Sequence, residues 1–366
     1  MPDKCSANVL IIHPNQKIMS RTEISTLGEF GLIDHLTEGI EPVDASTVVG
    51  VGDDCAVLSY PDSEVLVTTD LLLEGVHFDL TYVPLRHLGY KAVMVNLSDI
   101  CAMSGIPRQI TVSLGISKRF SVEDISELYA GMRLACEYSG VDIVGGDTTS
   151  SLTGLTISIT AIGEAPRGMA VRRSGAHDTD LICVSGDLGA AYMGLQLLER
   201  EKAVMSSTKD VEPDFEGREY LLQRQLRPEA RLDIVKALHE AGIRPTSMMD
   251  ISDGLSSELL HICKESKVGC RLYEEHIPLD YQTAAAAEEF NMNVTTCALN
   301  GGEDYELLFT VPLADYDKVS NIEGVRLVGH ITKPELGAML VTRDNQEMEL
   351  RAQGFNHMEP SAPEQK

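Results

Sequence analysis

Apolar residues recur along this chain in two periods, and the switches between them mark out its elements. From Glu23 to Leu36 the apolar positions Ile24, Leu27, Phe30, Leu32, Ile33 and Leu36 predict a short amphipathic helix. An apolar run from Cys55 to Tyr60, a Pro61-Asp62-Ser63 turn and a return from Glu64 to Asp70 predict a hairpin. Pro84 opens a helical run from Leu85 to Ser104, which Gly105 and Pro107 end. A strand follows at Ile110 to Ile116. Ser121 and Asp124 then form a capping-box pattern that starts a helix running to Gly140. Strands are expected at Val141 to Val144, ending in a Gly145-Gly146-Asp147-Thr148-Thr149 turn, and at Leu155 to Gly163.

The pattern pauses around Ala165-Pro166-Arg167-Gly168, which places a domain boundary there. Beyond it, a strand at Leu181 to Ser185 leads through Gly186-Asp187-Leu188-Gly189 into a helix reaching about Glu199, and Lys202 to Glu219 reads as a polar loop or irregular helix. Pro228 opens a helix ending near Gly242. Met248 to Asp250 reads as a strand, and Ile251-Ser252-Asp253-Gly254 leads into a helix to Ser266. Pro278 to Phe290 reads as helical. Further strands are expected at Glu306 to Val311, Val325 to Ile331 and Ala338 to Val341. Strands mixed with helices, without a clean βαβ repeat, favour α+β in both halves.

Two places in this layout strain against their own charges. A hairpin turning on Asp62 sets Asp54 opposite Asp70, and opposed Cβ atoms of an antiparallel pair lie about 4.5–5.5 Å apart, where like charges destabilise. A dication would remove the conflict. In the Leu85 to Ser104 helix, Asn96 and Asp99 share one face of a segment otherwise filled by Ala92, Val93, Met94, Val95, Leu97 and Ile100, so both polar groups need partners. Five acidic turns stand out: Gly52-Asp53-Asp54, Thr68-Thr69-Asp70, Gly145-Gly146-Asp147, Asp250-Ile251-Ser252-Asp253-Gly254 and Gly301-Gly302-Glu303-Asp304. With Asp99 they supply more carboxylates at element ends than folding requires. Oxygen ligands suit Mg²⁺, which is commonly shared with substrate phosphates. Taken singly, each turn reads equally well as a solvated loop or a helix cap.

Composition narrows the choice of partner. The 366 residues suggest two domains. A net charge of −26, from 30 basic and 56 acidic side chains, disfavours nucleic acid and anionic membranes, so an anionic substrate must be held by bound cations or a few placed basic groups. The eight cysteines show no zinc-like spacing and read as small buried residues of a reducing compartment. No apolar run is long enough to span a bilayer. Met1 to Ser20 lacks the features of a signal peptide and reads as a disordered extension, which points to the cytoplasm. P-loop, protein-kinase, dinucleotide and Gly-x-Ser-x-Gly signatures are all missing.

The motifs also occur in a telling order. Gly52-Asp53-Asp54-Cys55-Ala56, Thr69-Asp70 with Glu74-Gly75-Val76-His77-Phe78, Lys91-Ala92 through Asn96-Leu97-Ser98-Asp99, and Gly145-Gly146-Asp147-Thr148-Thr149 come first. Arg173-Ser174-Gly175-Ala176, Asp250-Ile251-Ser252-Asp253-Gly254-Leu255 and Gly301-Gly302-Glu303-Asp304-Tyr305-Glu306-Leu307 follow. From about Gly28 to Phe355 this series resembles the thiamine-monophosphate kinase family, within the superfamily of aminoimidazole ribonucleotide synthetase. The resemblance implies a two-domain α+β (α/β) fold. An N-terminal domain, residues 21–165, would bind ATP and Mg²⁺ and pair its sheet with a second copy in a homodimer. A C-terminal α+β domain would span residues 166–357, leaving an extension at 1–20 and a tail at 358–366.

The implied reaction is ATP-dependent phosphorylation of thiamine monophosphate to thiamine diphosphate. The resemblance assigns several Mg²⁺ ions to Asp53, Asp54, Thr68, Thr69, Asp70, Asp99, Asp147, Asp250 and Asp253, with Asp54, Asp70, Asp99, Asp147 and Asp253 carrying catalysis. It assigns ATP contacts to Gly146, Asp147, Arg173 and Ser252, and thiamine contacts to His77, Glu303 and Phe355. Phe355 departs from the Tyr or Trp more usual in the family. The nucleophile would be a phosphate oxygen already ionised, so catalysis reduces to positioning and charge neutralisation without a general base. Two other readings are another ATP-dependent enzyme of the superfamily and a non-catalytic dimer that binds Mg²⁺ or nucleotide.

Overall fold

A computed structural model describes residues 22, 26–27, 32, 35–49, 57–207 and 215–352. Its organising element is α1 (Leu85–Ala102), which begins after Pro84 and is buried on almost every side. A helix that is apolar all round has to be enclosed, and this one is. Below it lies a four-stranded sheet in the order β3-β6-β4-β5, formed by β3 (Ser63–Leu73), β6 (Thr156–Pro166), β4 (Ile106–Ile116) and β5 (Asp142–Ser150). Its pairs are antiparallel except β4 with β5, joined across α2 (Val122–Ser139). The Ser121–Asp124 capping box starts α2, and Gly140 in the left-handed region ends it. Side by side on the sheet, α1 and α2 touch backbone to backbone. A Cβ on Gly89 would lie 1.9 Å from the Leu128 carbonyl oxygen, and one on Gly131 would lie 1.8 Å from that of Arg86.

The second sheet has the order β13-β12-β9-β11-β7-β10-β8. Its inner strands are β7 (Leu181–Ser185) and β10 (Glu306–Val311), with β8 (Ser247–Ile251) at the edge nearest α1. Completing it are β9 (Gly269–Tyr273), β11 (Val325–Thr332), β12 (Ala338–Val341) and β13 (Glu347–Glu349). One continuous apolar core runs from Leu88, Met94 and Ile100 on α1 down to Ile110 and Ile159 of the first sheet and across to Met248, Leu307 and Phe309 of the second.

Several elements differ from the sequence reading. The hairpin does not form as drawn: β2 (Val57–Leu58) pairs with β1 (Thr47–Val49), placing Leu58 opposite Thr47, while β3 pairs along its whole length with β6. The alternation in β3 demanded a partner strand but did not say which one. The Gly145 to Thr149 segment is the second half of β5 and not a turn. The helix α3 (Ala190–Ser207) runs past Glu199 and takes in the start of the polar stretch read from Lys202 to Glu219, and α4 (Glu219–Leu226) begins where that stretch ends. The helices expected between Pro228 and Gly242 and up to Ser266 do form, as α5 (Leu232–Glu240) and α6 (Leu255–Ser266) on either side of β8 in the chain.

Candidate active site

Two adjoining faces of α1 reach in different directions. On one, Asn96 and Asp99 meet β3: Thr68 Oγ1 donates to Asp99 Oδ2 at 2.6 Å, and the Asp70 N–H donates to Asn96 Oδ1 at 3.0 Å. On the other, Lys91 and Ser98 lie two turns apart and meet the second half of the chain. Ser98 Oγ donates to Asp250 Oδ2, at the end of β8, at 2.6 Å. Asn96 and Ser98 are wholly buried, and each is satisfied by a bond that holds a site residue. Asp70, Asp99 and Asp250 are thereby brought together around one helix.

Their electrostatics agree with this convergence. Burial, reinforced by the Asp99 charge, raises Asp70 to about 6. Burial raises Asp250 to about 7, with Asp99 and Asp70 adding to it and the Ser98 hydroxyl opposing. Asp99 is itself raised by burial, against the Thr68 hydrogen bond and the Arg173 charge, which pull it down. Next to them, Asp253 donates its N–H to Glu258 Oε1 at 2.9 Å, and burial raises the Glu258 carboxyl to about 8. Carboxylates pushed up by burial and by one another are in an environment where positive charge does not offset their own.

The remaining residues sort by face and by turn. Asp147 pairs with Ser113, whose row continues through Ser158 to the exposed Leu71, so Asp147 and Thr69 lie on the sheet face away from α1. Three strand spacings, about 14 Å, separate β5 from β3. Gly146 lies in the row of Asp70, and a Cβ there would stand 1.9 Å from the Val112 carbonyl oxygen. His77 Nδ1 accepts the Leu73 N–H at 3.0 Å, which leaves the ring proton on Nε2. The turn at Ser252 packs against Gly302 and Glu303: the Glu303 N–H donates to the Ser252 carbonyl at 2.7 Å, and a Cβ on Gly302 would stand 2.4 Å from that same oxygen. Asp53, Asp54 and Phe355 lie outside the described residues.

Sequence reasoning passed over Lys91, Ser98 and Glu258 as site residues. Polar residues inside an apolar helical run were the available signal for the first two. Asp304 and Glu306, although part of the Gly301 to Leu307 motif, turn into the protein. Asp304 accepts the Gly189 N–H at 2.8 Å just ahead of α3, and Glu306 pairs with Arg224 at 2.8 Å and with Arg231.

Among the described residues, no three His, Cys, Asp or Glu side chains close on a common point that could hold a metal ion by themselves. The donors present are all oxygens, they are held by hydrogen bonds, and they repel one another. Such a set fits a hard cation that completes its shell with water and phosphate. A cavity of about 460 Å³ lined by Arg172, Ser174, Gly175, His177, Arg244 and Thr246 opens beside Arg173. Thr246 precedes β8, about 13 Å of strand from Asp250, so this cavity is not the acidic cluster itself.

A sheet carrying Asp70 and Gly146, with α1 bridging it to a second sheet that ends in Asp250, defines a class of protein. Residues 52–165 match the family described as AIR synthase related protein, N-terminal domain. The chain belongs to the thiamine-monophosphate kinase family. It is 37% identical over 321 residues to the thiamine-monophosphate kinase of Aquifex aeolicus (strain VF5), covering 85% of this chain and 98% of that one. It is 32% identical over 338 residues to that of Bacillus subtilis (strain 168), covering 90% and 99%. The solved structure of AaThiL complexed with AMPPCP and TMP superposes with a TM-score of 0.70 at 33% identity, covering 93% of this chain and 100% of that one.

Proposed function

We propose that this protein transfers the γ-phosphoryl group of ATP to thiamine monophosphate, forming thiamine diphosphate. The observation that carries the reading is the convergence of Asp70, Asp99 and Asp250 around α1, with Asp253 beside them. Thr68, Asp70, Asp99, Asp250 and Asp253 would hold Mg²⁺, joined by Asp53 and Asp54. Bound Mg²⁺ would neutralise phosphate charge and orient the groups for in-line transfer. Arg173, whose charge already reaches Asp99, would face the nucleotide phosphates together with Ser252 and the backbone at Gly146. His77, presenting Nε2–H, and Glu303 would contact the thiamine part, with Phe355 stacking on it. An ionised phosphate oxygen attacks without a base, so these residues orient the two anions and exclude nothing more than stray water. The direct test mixes purified protein, Mg-ATP and thiamine monophosphate and follows thiamine diphosphate; folded protein that forms none would sink the proposal. Product formed when ATP is replaced by its β,γ-methylene analogue would rule out γ-phosphoryl transfer.

We further propose a cytoplasmic homodimer paired through the open face of the first sheet. Helices cover one face, while the other exposes Val65, Val67 and Leu71 on β3 beside Thr160 and Ser158 on β6. That pairing would also bring Thr69 and Asp147 into the interface between the copies. Replacing Val67 with Lys is expected to convert the dimer to monomer in sedimentation velocity; an unchanged sedimentation coefficient would place the interface elsewhere. No helix among the described residues is long and apolar enough to cross a membrane.

A further inference from the structure

Lys91 is the one basic side chain that α1 buries, and it pairs with Glu303 and not with the acids gathered around α1. It is 6% exposed, its Nζ lies 2.8 Å from Glu303 Oε1, and it donates to the Gln225 carbonyl oxygen at 3.0 Å. Gln225, at the end of α4, closes the arrangement by donating Nε2 to Glu303 Oε2 at 2.7 Å. Both oxygens of the Glu303 carboxylate are therefore gripped, one from each half of the molecule.

Glu303 needs such a grip. Its backbone sits at φ +67, in the left-handed region that a non-glycine residue occupies only under constraint. Tyr305, two residues on, is at φ +53. The loop is tied to the Asp250 turn by its backbone alone, through Glu303 N–H to Ser252 and Tyr305 N–H to Ile251. The Glu303 side chain keeps about a third of its surface open (32%), and each gripped oxygen retains a lone pair that can accept a further contact. A buried ammonium is costly unless paired, and a paired one sets the position of its partner. The same stripe of α1 that fixes Asp250 through Ser98 fixes Glu303 through Lys91.

We propose that Lys91, seconded by Gln225, is a positioning residue for substrate recognition: it holds the Glu303 carboxylate where the cationic thiazolium ring of thiamine monophosphate is received. This rests on the assignment of Glu303 to the thiamine contact. Lys91 thus acts on the affinity for thiamine monophosphate and not on the phosphoryl-transfer step or on ATP.

The experiment measures steady-state kinetics for Lys91→Met, Glu303→Gln, the double variant and Gln225→Met, each with its melting curve. Lys91→Met is expected to raise the KM for thiamine monophosphate about tenfold, the size of one charge-assisted contact, with kcat and the KM for ATP within about twofold of the parent. Glu303→Gln is expected to raise that KM at least as much, and the double variant no further. Gln225 Oε1 is buried and has no partner among the described residues, so Gln225→Met loses one grip without orphaning a charge; about a threefold rise is expected because the donor lost is uncharged, and this variant carries the test should Lys91→Met fail to fold. If Glu303→Gln raises the KM while folded Lys91→Met, or Gln225→Met in its place, leaves it unchanged, the positioning role is overturned and the Glu303 contact stands. Additive effects in the double variant, or a loss confined to kcat, also overturn it. If Glu303→Gln leaves the KM unchanged, the thiamine contact itself falls and takes the proposal with it.

Discussion

Asp99→Asn is expected to lower kcat at saturating Mg²⁺ and ATP by at least about a hundredfold, the scale on which losing one preorganised electrostatic group is felt, while making the metal-free protein more resistant to heat. Both effects come from one position. Asp99 lies between Asp70 and Asp250, and its charge contributes to the rise of each. Asparagine keeps an oxygen that can accept the Thr68 hydroxyl, so the hydrogen bond that orients the side chain survives. What disappears is a negative charge, which helps to bind Mg²⁺ when the cation is there and repels its neighbours when it is not. Turnover by coupled assay and melting in EDTA read the two effects separately. A variant that lost activity and also melted lower without metal would show that Asp99 is a structural acid, and near-normal turnover would remove it from the site.

The second large effect concerns pH. Asp70 and Asp250, each with an ordinary value of 3.8, are held at about 6 and about 7 in the folded chain, and Glu258, ordinarily 4.5, at about 8, in every case mainly by burial. Below about pH 4 these groups are protonated folded or unfolded and favour neither state. As pH rises from there, the unfolded chain gives up its protons first, so the folded state binds more protons and loses stability until its own carboxyls ionise between about 6 and 8. Metal-free protein is therefore expected to melt progressively lower from pH 5 to pH 8. Mg²⁺ binds the ionised carboxylates, so its stabilising effect should be small at pH 5 and largest at pH 8. Differential scanning calorimetry across that range, with EDTA or with Mg²⁺, measures both trends. Stability that rose with pH in EDTA, or a Mg²⁺ effect independent of pH, would contradict this description of the cluster.

Much of the fold was legible because its signals are local. The Ser121–Asp124 capping box, the glycine stop at Gly140, the Glu306–Val311 strand and the Ala338–Val341 strand were each encoded within a few neighbouring residues. The hairpin failed for the complementary reason. An alternating strand such as Ser63–Leu73 specifies a face to bury but not the strand beside it, and here the partner is Thr156–Pro166, almost a hundred residues later. Gly145 to Thr149 was read as a turn because of its glycines. In the structure it is a strand whose Gly146 permits the close approach of Val112.

The candidate site divides along the same line. Sequence by itself determined which acids were available, that Asn96 and Asp99 had to find partners inside an apolar helix, and, through the order of its motifs, the family. It also set Asp54 opposite Asp70 by a hairpin whose described arm, Val57–Leu58, pairs with Thr47–Val49 and not with Ser63–Leu73. Only the tertiary structure decided that Asp70, Asp99 and Asp250 share one neighbourhood while Thr69 and Asp147 take the other face of the sheet, and that Lys91 answers Glu303 and not Asp99. Side-chain identity and periodicity are properties of a short stretch of chain. Convergence depends on sheet register and on how a buried helix is turned, and those are settled by packing between segments far apart in sequence.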